Sequence, residues 1–190
     1  MSYDSDKLRY PVKRQINDRL YELQEPFTVS VGGHVTIALP GFCYDGFSVP
    51  RSLWWFQSPF TGPGTVAALD HDAKYAKMWE GGRRLADEIF YDLLRQYGVS
   101  RSKALIMYRA VRDFGWLCWD KSDAEIEQAK KFVQIYPEAE GVKIATAIAR
   151  GWVMADLLKQ ARAAVDIETE QRIRLEMVKA AAGDHDNLIE

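Results

Sequence analysis

The sequence predicts an α+β fold in which a small antiparallel hairpin or three-stranded sheet precedes a mainly helical core and a C-terminal helical arm. Three observations indicate this fold. Apolar and polar residues alternate between residues 18 and 40, which is the period of strands. From residue 65 onward the apolar spacing is helical. Five of the six tryptophans lie between residues 54 and 119, so the aromatic core belongs to the first part of the chain. We therefore expect a core domain over residues 1–120 and a helical arm over residues 121–190.

A glycine pair marks the hairpin. Gly32-Gly33 separates two alternating runs, and a tight type I′ turn needs positive φ at both of its central positions. The run before it contains Phe27, Val29 and Val31, and the run after it contains Val35, Ile37 and Leu39. A third strand is expected around Leu20 to Leu23.

Residues 41–64 are rich in Pro and Gly, and they predict an ordered loop that packs Trp54, Trp55 and Phe56 onto the core. Glycines, prolines and capping residues then divide the remainder into helices. Five of the expected helices cover residues 65–79, 83–97, 100–115, 141–165 and 168–182. One more helix begins at the capping box Ser122-x-x-Glu125 and runs to about Tyr136.

Composition excludes several classes of protein. The 25 basic and 27 acidic residues nearly balance, so no nucleic-acid partner is expected. No apolar run is long enough for a transmembrane segment or has the form of a signal peptide, so we expect synthesis in a cytoplasm. Cys43 and Cys118 stand in apolar surroundings and are expected to be buried free thiols.

His71 is the residue most capable of chemistry. The helical period places His71 and Tyr75 on one face, and a short connection favours antiparallel packing of the next helix, which carries Asp87. A carboxylate on one ring nitrogen would fix the tautomer and leave the other nitrogen to accept a proton from water. Asp72, with Asp45 and loop carbonyls, would then hold calcium or magnesium. His71 and Asp87 are therefore candidate catalytic residues, and Asp72 and Asp45 are candidate metal ligands.

A structural interpretation stands beside this one. A buried His–Asp pair between helices is often only a satisfied polar contact. Arg83 or Arg84 can pair with Asp87 or Glu88 along one helix. Arg109 and Arg112 either form an anion site or lie in solvent.

Four linked motifs resemble a phage and prophage family, domain of unknown function 1353. They are DGxSxP at Asp45 to Pro50, HDxxY at His71 to Tyr75, ADxxF at Ala86 to Phe90, and the segment from Tyr108 to Gly115. The resemblance covers roughly residues 40–115 and implies phage origin but no activity.

The helix with HDxxY followed by a helix with DxxF also resembles phospholipases of the A-two type. That resemblance implies that His71 activates water, that Asp72 binds calcium and that Asp87 orients His71. Gly62-Pro63-Gly64 resembles the glycine-rich calcium loop of these phospholipases. It lies much closer to the histidine than in the capsid-borne phospholipase domain of parvoviruses, and the disulfides of the secreted phospholipases are absent.

Two classes of function remain open. The preferred class is a non-catalytic phage protein, either a virion structural and assembly component or a host-interaction protein. Its partners would be other phage structural proteins or further copies of this chain, bound through the C-terminal arm. It would be located in the host cytoplasm when synthesised and then in the virion. The alternative is a metal-assisted hydrolase, phospholipase-like or envelope-directed, with His71 as general base.

Overall fold

The computed structural model describes residues 10–17, 20–44, 62, 64–153, 155–157, 159–160 and 163. The chain divides into two compact units, Met1–Thr146 and Ala147–Glu190. Asp45, the aromatic cluster Trp54 to Phe56 and the helix expected over residues 168–182 lie outside the described residues.

The first unit contains two small antiparallel sheets, each with three described strands, together with a set of helices, so the α+β prediction is confirmed. In the first sheet the order is β1-β2-β5, and in the second it is β3-β4-β6. The strands are β1 Lys13–Gln15, β2 Tyr21–Leu23, β3 Phe27–Val31, β4 His34–Ala38, β5 Cys43–Tyr44 and β6 Val133–Pro137.

The expected hairpin is confirmed as β3 and β4, which pair antiparallel from Val31 opposite His34 to Phe27 opposite Ala38. Gly32 and Gly33 have φ of 59° and 76°, the left-handed values that the turn requires. The strand expected around residues 20–23 also exists, but it pairs with β1 and β5 and belongs to the other sheet.

The third strand of the hairpin sheet comes from a segment that was expected to be helical. The capping box at Ser122 and Glu125 opens a helix as predicted, but this helix ends at Lys130 and not near Tyr136. Residues Val133–Pro137 instead pair with β4. Val133 is fully buried, and the Val-Gln-Ile-Tyr alternation suits a strand, so tertiary pairing overrides local helix propensity here. The expectation of a wholly helical arm is therefore wrong for these residues.

Helix α1 lies at the centre of the helical core. It packs against α2 and also contacts β4, β5, α4 and α5, while α2 packs against α3. The bounds agree with the expected helices to within a few residues, except for the short α4 and the early end of α5. They are α1 Gly64–Ala76, α2 Gly82–Gln96, α3 Arg101–Phe114, α4 Trp116–Trp119 and α5 Asp123–Lys130.

Helical residues follow β6 from residue 138. Gly141 allows this part of the first unit to approach the sheet, because a Cβ there would lie 2.5 Å from the Cβ of Val35. In the second unit the described residues are helical, and they expose Trp152, Val153 and Leu157. Within the described part of the chain, no helix is both long and apolar enough to cross a membrane.

The position of β6 predicts where the chain can be shortened. A chain that ends at Thr146 keeps β6 on β4 and is expected to melt in one cooperative transition. A chain that ends at Lys121 loses β6 and leaves β4 as an unpaired edge, so we expect loss of cooperativity and aggregation. Thermal melting followed by circular dichroism compares the cooperativity and the melting temperature of the two chains. Equal melting temperatures would show that residues 1–120 form a core by themselves, as the sequence predicts.

Candidate functional site

The candidate site is built around one buried carboxylate, that of Asp87. Asp87 lies on the inner face of α2, and its side chain is 0% exposed. Helix α1 places His71 and Tyr75 one turn apart on the face that meets α2. Ala68 and Ala86, both in the buried core, keep the bulk between the two helices small.

Side chains from three helices bind this carboxylate. His71 Nε2 lies 2.8 Å from Asp87 Oδ1, so the predicted pairing of the two residues is confirmed. The hydroxyl of Tyr75 donates to the same oxygen at 2.7 Å. Arg112 Nη1 on α3 donates to Oδ2 at 2.8 Å, and Arg83 Nη1 forms an ion pair with Oδ2 at 3.6 Å. A carboxylate has about four acceptor sites, so Asp87 is close to saturated.

Aromatic rings enclose the imidazole. The ring of His71 lies 4.1 Å from that of Tyr75 and 4.9 Å from that of Phe90, measured between centroids. Tyr75 in turn makes a T-shaped contact with Trp119, with 4.9 Å between the ring centroids. Only 6% of the His71 side chain is exposed, so water has little direct access to it.

The carboxylates determine the charge of His71. Burial alone would lower the pKa of His71, but its interactions with Asp72 and Asp87 outweigh burial and raise the pKa above its ordinary value. For Asp87, burial would raise the pKa, but the hydrogen bonds from His71, Tyr75 and Arg112 lower it below the usual range. Both shifts favour an imidazolium that is held between two carboxylates.

Asp72 connects this cluster to solvent. Its Oδ1 lies 3.9 Å from His71 Nδ1, and 13% of its side chain is exposed. Asp72 and Tyr75 line a cavity of about 230 Å³, together with Tyr44, Cys118 and Lys121 among others, but His71 does not line it. The cluster therefore meets the cavity through Asp72 and Tyr75.

The proposed metal ligands do not meet in the described part of the chain. Asp45 lies outside it, and among the residues that are described no group of three or more His, Cys, Asp or Glu side chains is arranged to hold a metal. Calcium takes six to eight oxygen ligands, so a calcium ion bound to Asp72 would need several further oxygens. The calcium or magnesium role of Asp72 and Asp45, like the catalytic role of His71 and Asp87, stays a prediction.

A second polar cluster lies between α1 and β4. Lys74 donates to Asp70 Oδ1 at 2.5 Å and to Thr36 Oγ1 on β4 at 3.1 Å. The side chains of Lys74 and Asp70 are fully buried, and the ammonium lies 5.4 Å from the ring centroid of Trp79. Asp70 Oδ2 is buried and has no hydrogen-bond partner in the described part of the chain. The ion pair lies within α1, and the hydrogen bond from Lys74 to Thr36 links α1 to β4 of the second sheet.

Sequence reasoning found part of this arrangement. It anticipated the pairing of His71 with Asp87 and the helical pair of Arg84 with Glu88, whose atoms lie 2.8 Å apart. It missed Arg112, which was expected either in an anion site or in solvent, and it missed the buried Asp70–Lys74 pair. An acid and a base four residues apart on an otherwise Ala-rich helix were the signal for that pair. Cys43 was expected to be buried and is exposed.

Residues 21–111 match the model of a family whose description is "Protein of unknown function (DUF1353)". This match confirms the family resemblance, and this segment of the chain belongs to that family. No curated protein and no solved structure matches the chain. The family description names no activity, so the phage origin and the likeness to phospholipases stay predictions.

Gly115 is predicted to be essential for the Tyr75–Asp87 hydrogen bond. A Cβ at Gly115 would collide with the hydroxyl of Tyr75 and the carbonyl of Val111. We expect Gly115→Ala to lower the free energy of unfolding by about 1–3 kcal/mol, as overpacking does. Gly151→Ala is the control, because a Cβ there meets open space. Urea denaturation measures both. The loss should be smaller in a Tyr75→Phe background, and an unchanged loss would exclude the hydroxyl as its cause.

The raised pKa of His71 predicts a specific dependence of stability on pH. A group whose pKa is higher in the folded state stabilises fully below its unfolded pKa, about 6.5, and this contribution is lost as the pH rises through the folded value. We expect the free energy of unfolding of the wild type to fall more between pH 6 and pH 9 than that of His71→Gln. Urea denaturation at both pH values tests this. Parallel losses in the two proteins would contradict an imidazolium at position 71.

Proposed function

We propose that this protein is a non-catalytic phage-encoded protein, acting as a virion structural and assembly component or in host interaction. The observation that carries the proposal is the closed state of the Asp87 cluster. Three donors from α1 and α3 bring Asp87 close to saturation, and His71 is buried between aromatic rings. The phage origin is taken from the family resemblance of the four motifs.

The raised pKa of His71 also favours a structural role. A general base must be neutral in the reactive state and must reach a water molecule. The pKa of His71 is raised by Asp72 and Asp87, and its second ring nitrogen, Nδ1, lies 3.9 Å from Asp72 Oδ1. In its protonated form His71 links α1 to α2 through Asp87, and that form cannot accept a proton.

Exposed apolar side chains in the second unit support a role in assembly. Among its described residues, Trp152, Val153 and Leu157 are 41%, 57% and 54% exposed. Val153 and Leu157 are four residues apart and therefore share one face of a helix. Large apolar side chains that recur on one exposed face are typical of a surface that binds another protein.

This proposal predicts a loss of association when that face is made polar. The double substitution Val153→Lys and Leu157→Lys is expected to reduce the sedimenting mass of the full chain, because it places two charges in the contact. Gln160→Lys adds a charge at an exposed polar residue and should leave the mass unchanged. A wild-type chain that sediments as a monomer and incorporates into no particle would contradict the proposal.

The hydrolase is kept as a second candidate because of one observation. The His71–Asp87 pair lies directly behind Asp72 and Tyr75, which line the cavity of about 230 Å³. A metal ion bound by Asp72 would compete for that carboxylate and lower the pKa of His71. Calcium-dependent ester hydrolysis that His71→Gln abolishes would favour this candidate over the assembly role.

A further inference from the structure

Two adjoining cavities in the first unit form one cleft with unlike ends. The smaller cavity, of about 230 Å³, is the one that Asp72 lines. The larger, of about 470 Å³, lies against α5 and is lined mainly by apolar side chains, including Ala124, Ala129 and Phe132. Phe42, Cys43 and Ala76 line both cavities, so the two cavities adjoin at these residues.

The larger cavity is suited to a hydrocarbon group. Its volume falls within the roughly 300–1,000 Å³ that is usual for small-molecule sites. Two polar residues, Glu125 and Gln128, also line it. The carboxylate of Glu125 is engaged, because it accepts hydrogen bonds from the backbone and the hydroxyl of Ser122 at 2.9 and 2.7 Å. The apolar wall is therefore what this end offers to a ligand.

The smaller cavity carries charges of both signs. Asp72 and Lys121 line it, so a ligand head group with a net charge of either sign would face one like charge. Tyr44 also lines this end, and its buried hydroxyl has no hydrogen-bond partner among the residues that the structure describes. Buried hydroxyls are nearly always hydrogen-bonded. A neutral head group that both donates and accepts can serve Asp72, Lys121 and Tyr44 together.

We propose that this cleft binds a small neutral amphiphile, with its hydrocarbon part along Phe42, Ala129 and Phe132 and a hydroxyl or amide head between Asp72 and Lys121. The site goes beyond the assembly role proposed above, because its lining residues all lie between residues 20 and 132 and the exposed face proposed for assembly lies beyond residue 147. Binding requires no reaction of the ligand.

Three probes with the same eight-carbon chain test the proposal by titration calorimetry on the full chain. We expect 1-octanol to bind at one saturable site and octanoate and octylammonium to bind at least about tenfold more weakly, a difference of about 1.4 kcal/mol. No saturable heat with 1-octanol would overturn the proposal. Equal affinity for all three probes would overturn the assignment of a neutral head group.

Substitutions at each end locate the site. Ala124→Trp fills the apolar end from an exposed position on α5 and should abolish binding of 1-octanol. Ala149→Trp is the control and should leave binding unchanged, because Ala149 is also exposed but does not line the cavity. Asp72→Asn removes the negative charge and should strengthen octanoate binding by about tenfold, while Lys121→Met should do the same for octylammonium. Binding that survives Ala124→Trp, or head-group preferences that neither substitution moves, would place the ligand elsewhere and refute the cleft.

Discussion

The arrangement of the helical core depends on the buried carboxylate of Asp87. This carboxylate carries a full negative charge and is shielded from solvent. It is tolerated only because His71, Tyr75 and Arg112 donate hydrogen bonds to it and Arg83 lies close by. Removing one partner from such a buried charge typically costs about 3–5 kcal/mol. The donors lie on α1 and α3, while Asp87 lies on α2, so one interaction determines how three helices cross. The same interaction requires a glycine at position 115, because a side chain there would occupy the space of the Tyr75 hydroxyl.

Helix α1 transmits this constraint to the second sheet. One face of α1 binds Asp87, and from the same helix Lys74 reaches Thr36 on β4. β4 is held in turn by β3 and by β6, which returns from beyond α5. The polar contacts therefore fix the orientation of an element whose apolar residues alone, being mostly alanines, would specify it weakly. This explains why α1 tolerates an aspartate, a histidine and a lysine in a nearly buried helix.

The sequence correctly predicts the features that depend on residues close together in the chain. Gly32-Gly33 specifies its turn through backbone conformation, and the spacing of His71, Tyr75 and Asp87 follows from helical period and a short connection. Arg112 is 25 positions from Asp87, and nothing local distinguishes an arginine that turns inward from one in solvent. The strand β6 was missed for a related reason. The capping box starts α5, but only pairing with β4, about a hundred residues earlier, ends the helix and makes Val133 part of a sheet. Exposure of Cys43 likewise depends on which side of β5 faces the core.

The HDxxY motif has a physical explanation that needs no catalysis. Four residues apart on α1, His71 and Tyr75 both point at Asp87, and they supply the donors that a buried carboxylate requires. Asp72 is turned about 100° further round the helix, which places it beside the second ring nitrogen of His71 and at the wall of the cavity. Its charge stabilises the imidazolium from one side while Asp87 does so from the other. Each polar position of the motif therefore has a separate task, either in holding α1 to α2 or in shaping the polar end of the cleft. The residue types that resemble a hydrolytic centre are the same ones that a buried, charged helix contact needs, and the closed geometry around His71 favours the second explanation.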